Sequence, residues 1–251
     1  MGILPSWSGI NMKNEDVAAL EELEDGHWWG EERTHRLLGL VEEFVPTKGR
    51  VLEIGCGNGR ILSKLQSIGF DCFGIEPTAA GFVKASELLP EKIFHGSLDQ
   101  YLGSTNSTHG FDCILFFDVL EHMQDDEHQL LASSKLLKNG GFVIFSVPAD
   151  PKLWSKLDEE VLHFRRYTKS SMRALLSSSD LKIKKLHYWC SLLKIPIKFY
   201  RKVVNPSFTE NIKKPSPLIN SLLGSLIKVE RLSIFGKQPG VSIFGVGQKS
   251  N

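Results

Sequence analysis

Cysteine is scarce in this chain of 251 residues. The four present, Cys56, Cys72, Cys113 and Cys190, form no C-x-x-C pair and have no histidine at zinc-ligand spacing. A disulfide-stapled scaffold and a zinc ribbon are excluded, and no metal site is expected from the pattern. Most of these cysteines sit in apolar, strand-like runs, so they read as buried thiols of a reducing, cytoplasmic compartment. No apolar run reaches membrane-spanning length, and the opening MGILPSWSGI has no basic stretch followed by an apolar one, so no secretory signal is expected. An N-myristoylation pattern at Gly2 to Ser6 and an N-S-T sequon at 106 to 108 are short enough to arise by chance. There is no internal repeat.

Excess charge of one sign is also missing overall, the formal net charge being +1, but the balance hides a division. Residues 1 to 150 hold 11 Lys and Arg against 23 Asp and Glu, and residues 151 to 251 hold 19 against 6. The C-terminal part is therefore a basic surface suited to an anionic membrane, a phosphate-bearing substrate or the acidic part of its own chain. Nucleic acid is disfavoured, because the basic residues are interleaved with aliphatic ones and no nucleic-acid motif accompanies them.

What is present is a rhythm. Nearly continuous apolar runs occur at 50–55, 71–76, 92–96, 111–118 and 141–148, as in strands covered on both faces. Amphipathic stretches at 59–69, 78–89 and 125–138 alternate with them, the last ending at Gly140 or Gly141 as a left-handed cap. The alternation predicts an α/β, Rossmann-like doubly wound sheet. Helices are expected at 15–25 and 31–45 before it. After it come a helix at 169–179, a strand at 182–189, a Lys-, Pro- and Leu-rich segment, and a last strand at 241–247.

The first strand runs into VLEIGCGNGR, residues 51 to 60. Gly55, Gly57 and Gly59 fall in the turn where parallel sheets bind nucleosides, and a backbone without Cβ atoms lets a ligand touch the main chain. A dinucleotide fingerprint would place its third glycine at position 60, which is Arg60, so a nicotinamide-dependent oxidoreductase is disfavoured.

Glu53 with the three glycines, E-x-G-x-G-x-G, resembles motif I of the class I S-adenosylmethionine-dependent methyltransferases. Glu76 at the end of the second strand resembles their ribose-binding acid, a carboxylate able to accept two hydroxyls. The HGSLD segment (95–99) resembles the stretch along the adenine edge, with Ser97 or Asp99 meeting the adenine amine. The FDCILFFDVLEHMQDD segment (111–126) resembles the fourth-strand motif of the methyltransferase type 11/12 group that includes ubiquinone-biosynthesis O-methyltransferases. The resemblance spans roughly 50 to 150. It implies a seven-stranded sheet with the last strand antiparallel, and S-adenosylmethionine as cofactor, S-adenosylhomocysteine being the product. The implied cofactor contacts are Glu53, Gly55, Cys56, Gly57, Gly59, Glu76, Pro77, Ser97, Leu98, Phe117, Asp118 and Val119, with Leu120, Glu121 and His122 entering the substrate side.

Trp28 and Trp29 are expected either to close over the cofactor, with Arg33 pairing with its carboxylate, or to pack α-helix onto sheet. His163 or His122 is the expected catalytic base for a hydroxyl acceptor, since imidazole titrates close to neutral pH. Arg165 or Arg166 would hold an anionic group of the substrate; the bland alternative has them balancing Glu159 and Glu160, with Thr168 capping a helix.

The domain reading is an N-terminal helical cap or lid over 1–48, then a methyltransferase domain over 49–251 with a basic amphipathic insertion at about 190–240. Residues 187–236 suit peripheral contact with anionic lipid. The acceptor is expected to be a small or lipid-linked molecule methylated at oxygen. N- or C-methylation and a non-catalytic cofactor-binding scaffold are the alternatives.

Overall fold

A computed structural model describes residues 26–105, 107–204, 206, 210, 215–230 and 238–250. The helix expected at 15–25 and Asn106 of the sequon lie outside the described residues.

Seven strands form one sheet: β1 (Arg50–Ile54), β2 (Asp71–Glu76), β3 (Ile93–His95), β4 (Phe111–Phe117), β5 (Leu137–Pro148), β6 (Leu181–Trp189) and β7 (Ser242–Lys249). Their order is β3-β2-β1-β4-β5-β7-β6. The first five pair in parallel, and β7 runs antiparallel between β5 and β6. β6 therefore points the same way as β5, and its carboxyl end shares their edge. β4 shows why its residues read as a central strand: Phe111 and every residue from Cys113 to Phe117 are buried, as both faces are covered.

The helices are α1 (Trp28–Phe44), α2 (Arg60–Ser67), α3 (Ala79–Leu88), α4 (Leu98–Leu102), α5 (Asp126–Ser134), α6 (Lys156–Glu160), α7 (Lys169–Ser178), α8 (Lys194–Val203) and α9 (Pro217–Val229). α1 starts earlier than expected because His27 caps it, its Nδ1 accepting from the Trp29 N–H. Both tryptophans thus belong to its first turn. Leu37, Leu40 and Val41 carry α1 into the same core layer as Val51 and Leu62. α5 ends at Ser134, short of position 138, because β5 begins at Leu137. Gly140, with φ 74°, lies not at a helix cap but near the irregularity in the β4–β5 pairing between Phe111 and Cys113. Thr168 caps α7 as the bland reading required.

α8 and α9 form the segment between β6 and β7. No residue of α8 is fully buried, whereas Asn220 ties α9 to α1 by accepting from the Trp28 N–H (3.0 Å) and donating to Gly26 O (2.8 Å).

Candidate active site

The carboxyl ends of β1, β2, β4 and β5 meet at one edge. The Gly55 and Cys56 N–H groups donate to Ile75 O, which binds the glycine turn to β2. All three glycines have positive φ, but their surroundings differ. A Cβ on Gly55 would lie 2.8 Å from a Val119 methyl, and one on Gly59 would lie 3.0 Å from the Ala85 backbone of α3. Above Gly57 there is nothing within 4 Å. Two glycines serve close packing, and the middle one faces open space where a ligand can lie on the main chain.

Glu76, 4% exposed, answers that opening. Its Oε2 accepts from the Gly57 N–H at 2.7 Å, and its Oε1 accepts from the Thr78 N–H and hydroxyl at 2.8 and 2.6 Å. Burial pushes the Glu76 carboxyl up, and these hydrogen bonds partly offset the rise. Pro77 joins Glu76 to Thr78, the cap of α3. Across the β2–β3 pairing Glu76 faces His95, whose ring stacks on Phe82 at 4.6 Å. Glu53 is buried within β1 and Cys56 just beyond it, the Cys56 thiol pushed up by burial and by the Glu53 and Glu76 charges.

Two candidates for the adenine edge are otherwise engaged. The Ser97 hydroxyl accepts from Gln100 N–H in a capping box, and Asp99 turns to Gln129 (3.0 Å) and His128 (3.4 Å) on α5. Leu98 is fully buried in the core layer with Ile75, its side chain committed to packing.

At the end of β4, Phe117 and Val119 are buried and Asp118 has φ 45°. Asp118 accepts from the Ser146 hydroxyl at 3.0 Å and pairs with Arg33 of α1 at 2.5 Å. Arg33 was expected to face a cofactor carboxylate; here it is joined to the strand-end acid. Trp29 stacks on buried Trp189 at 4.4 Å, and Trp28 borders a cleft of about 380 Å³ between α1 and α9. Both tryptophans pack against elements C-terminal to residue 180.

Beyond Asp118 the chain makes a short turn over Leu120–His122, with Leu120 and Glu121 fully buried. Neither carboxylate oxygen of Glu121 has a hydrogen-bond partner, and burial followed by the Asp118 charge drives its carboxyl well up. His163 lies opposite, its Nε2 3.9 Å from Glu121 and its ring 4.7 Å from that of His122. Donor atoms of Glu121, His122 and His163 all fall within 4.8 Å of one another, close enough to share a proton or a cation. His122 is pulled down to about 4, by burial first and by His163 second.

The residue that pattern reasoning passed over is Asp158. Fully buried, it accepts the His163 Nδ1–H at 2.9 Å and the Arg166 Nε–H at 2.7 Å. Burial alone would raise its carboxyl, yet these donors outweigh it and hold it at about 2. Arg165 pairs with Asp126 at 2.7 Å. The arginines therefore balance Asp126 and Asp158 rather than Glu159 and Glu160.

Residues 29–186 match the family described as "Methyltransferase domain". The chain belongs to that family. Among curated proteins the methyltransferase domain is similar to ubiquinone biosynthesis O-methyltransferases from Paracidovorax citrulli, 27% identical over 154 residues, and from Vibrio atlanticus, 31% over 158 residues. These alignments cover 56% and 53% of this chain and 64% and 63% of the relatives, a little under two thirds of their length. Among solved structures, a SAM-dependent methyltransferase from Archaeoglobus fulgidus shares the fold with a TM-score of 0.59 at 17% identity, over 87% of this chain and 94% of that one. S-adenosylmethionine is the cofactor to which fold and relatives point, and the residues present fit it: bare backbone at Gly57 beside a buried acceptor-only carboxylate at Glu76. The four cysteines are free and buried, as read from their runs.

Proposed function

We propose that this methyltransferase transfers the methyl group of S-adenosylmethionine to a hydroxyl oxygen of a small or lipid-linked acceptor. The observation that carries this reading is the Asp158–His163 pair beside the turn that follows β4. A carboxylate only accepts, so the Asp158 contact assigns the ring proton to Nδ1 and leaves Nε2 of the neutral imidazole as a lone pair facing Glu121. His163 thus takes the acceptor's hydroxyl proton at Nε2, and Asp158 stabilises the imidazolium formed. His122, pulled down to about 4 by burial first and by His163 second, is a weak base. When bound, S-adenosylmethionine would supply an activated methyl on its sulfonium and would leave as S-adenosylhomocysteine, the proton of the methylated hydroxyl passing to His163.

Glu76 would hold the ribose hydroxyls of the cofactor, its carboxylate being an acceptor at the glycine turn. Gly55, Gly57 and Gly59 shape the backbone floor, Cys56 and Glu53 stand beneath it, and Phe117, Asp118 and Val119 border the methionine end. Arg33 acts there by fixing Asp118. The Trp28 turn closes this side as part of the lid proposed for 1–48.

Contact with an anionic membrane is supported by α8, where Ile195 (79% exposed), Phe199 and Val203 stand among exposed Lys198 and Lys202. No helix among the described residues is long and apolar enough to cross a membrane. Calorimetric titration with S-adenosylhomocysteine and with NAD tests the core of the proposal. About micromolar affinity for the first is expected; binding of NAD alone would reverse it.

A further inference from the structure

Glu121 and His122 sit together in the turn after β4, and His163 comes from the loop between α6 and α7, so no ligand spacing in the sequence announces the three as a group. The fold pins the two segments together. The Phe164 N–H donates to the Glu121 carbonyl and the His163 N–H to the Asp158 carbonyl, each at 2.8 Å. Glu121 is fully buried, and neither of its carboxylate oxygens has a hydrogen-bond partner. His122 Nδ1 is buried and unpartnered as well. His163 Nε2 stands 3.9 Å from Glu121 Oε1, outside hydrogen-bond reach, and donor atoms of all three residues lie within 4.8 Å of one another.

Buried lone pairs left without a partner are costly, and a single cation accepts from all of these at once. Around a tetrahedral zinc ion, with bonds of about 2.0–2.2 Å, ligand atoms stand about 3.3 Å apart, so the Glu121–His163 pair has only to close by about half an ångström. Two imidazoles and one carboxylate suit zinc and its transition-metal neighbours, whereas magnesium and calcium ask for oxygen ligands. Asp158 completes the arrangement: by accepting the His163 Nδ1–H at 2.9 Å it turns Nε2 toward Glu121, as a carboxylate behind a metal-binding imidazole does. An ion also has a way in. His163, its side chain 13% exposed, and His122 are only part-buried, with Glu121 beneath them and exposed Leu162 and Phe164 on either side of His163.

We propose that Glu121, His122 and His163 form a binding site for a divalent transition-metal ion of the zinc class. The ion takes the same Nε2 lone pair that receives the acceptor's proton, so metal occupancy and methyl transfer exclude one another at this nitrogen. That second step rests on His163 acting as the base; the site itself does not.

The whole chain, stripped by a chelator, is titrated with Zn²⁺ by calorimetry and with Co²⁺ as a visible-absorbing stand-in, S-adenosylhomocysteine being titrated in parallel. One zinc per chain at about micromolar affinity or tighter is expected, with no displacement by Mg²⁺. Glu121→Gln, which keeps the shape and removes the charge, should abolish the cobalt spectrum while sparing S-adenosylhomocysteine affinity, and His122→Asn serves if that variant does not fold. Asp158→Asn should weaken zinc by about 10–100-fold through loss of the group that orients His163. Bound zinc, but not added magnesium, should also abolish acylation of His163 by diethylpyrocarbonate, read by peptide mass spectrometry. Zinc bound equally by the wild type and the variants, or not at all, overturns the site. Acylation of His163 unaffected by bound zinc overturns the exclusion. Failure of the wild type to bind S-adenosylhomocysteine would instead overturn the proposed function and leave the metal site standing.

Discussion

Oδ1 of Asp158 accepts from His163 Nδ1 at 2.9 Å and from Arg166 Nε at 2.7 Å, while Oδ2 accepts from the Ser155 N–H at 2.9 Å. One buried carboxylate thereby sets the tautomer of the imidazole, anchors an arginine and caps α6.

The first prediction concerns acid. Asp158 is held at about 2 in the folded protein, below its value near 3.9 in the unfolded chain, so folding favours the ionised form. Its contribution, about 2.5 kcal/mol, is fully present above pH ~4 and is lost as pH falls from there through about 2. Urea titrations across that range should show the wild type losing more stability than Asp158→Asn, which starts lower and lacks this titration. Equal slopes would mean that the carboxylate is not held by its donors.

Glu76→Ala should weaken S-adenosylhomocysteine binding by roughly 1.5–3 kcal/mol through loss of charge-assisted hydrogen bonds. Calorimetry reads this directly. Unchanged affinity would remove Glu76 from the cofactor site.

The glycines should separate by substitution. Gly59→Ala meets both positive φ and the Ala85 backbone at 3.0 Å, so its cost should exceed the roughly 1–2 kcal/mol of left-handed strain alone. Gly57→Ala meets only the strain, yet its methyl enters the space offered to the cofactor. Thermal unfolding should therefore rank Gly59→Ala as the less stable, with Gly57→Ala losing the larger share of cofactor affinity for its stability cost. A Gly57→Ala protein that binds normally would argue that no ligand lies on that backbone.

Replacing Lys198 and Lys202 together by Glu should reduce flotation with anionic vesicles, each lysine contributing about 1 kcal/mol near a charged surface. Neutral vesicles should show little difference between the two proteins. Flotation indifferent to lipid charge would count against the electrostatic contact.

Legibility followed the range of the interactions. Strands such as β2 and β4 were readable because a strand buried on both faces must be apolar along its whole length, and β2 was placed at its own residues, 71–76. The glycine turn and Glu76 were readable because positive φ and a strand-end acid are local demands on residue type. The register of α1 was misjudged because its cap is a histidine, whose ring nitrogen substitutes for the usual hydroxyl or carboxylate. Ser97 and Asp99 matched a motif position, yet their side chains are drawn to a helix cap and to α5, partners that no spacing announces.

Fold class, cofactor loop and candidate imidazoles thus follow from residue identity along the chain, since hydrophobic burial and backbone dihedrals act within a few residues. The tertiary structure decided which charges meet: Asp158 with His163, Arg33 with Asp118, and Arg165 with Asp126. Such pairings join residues far apart in sequence, and their strength depends on distance and burial, which exist only once the sheet has brought its strand ends together.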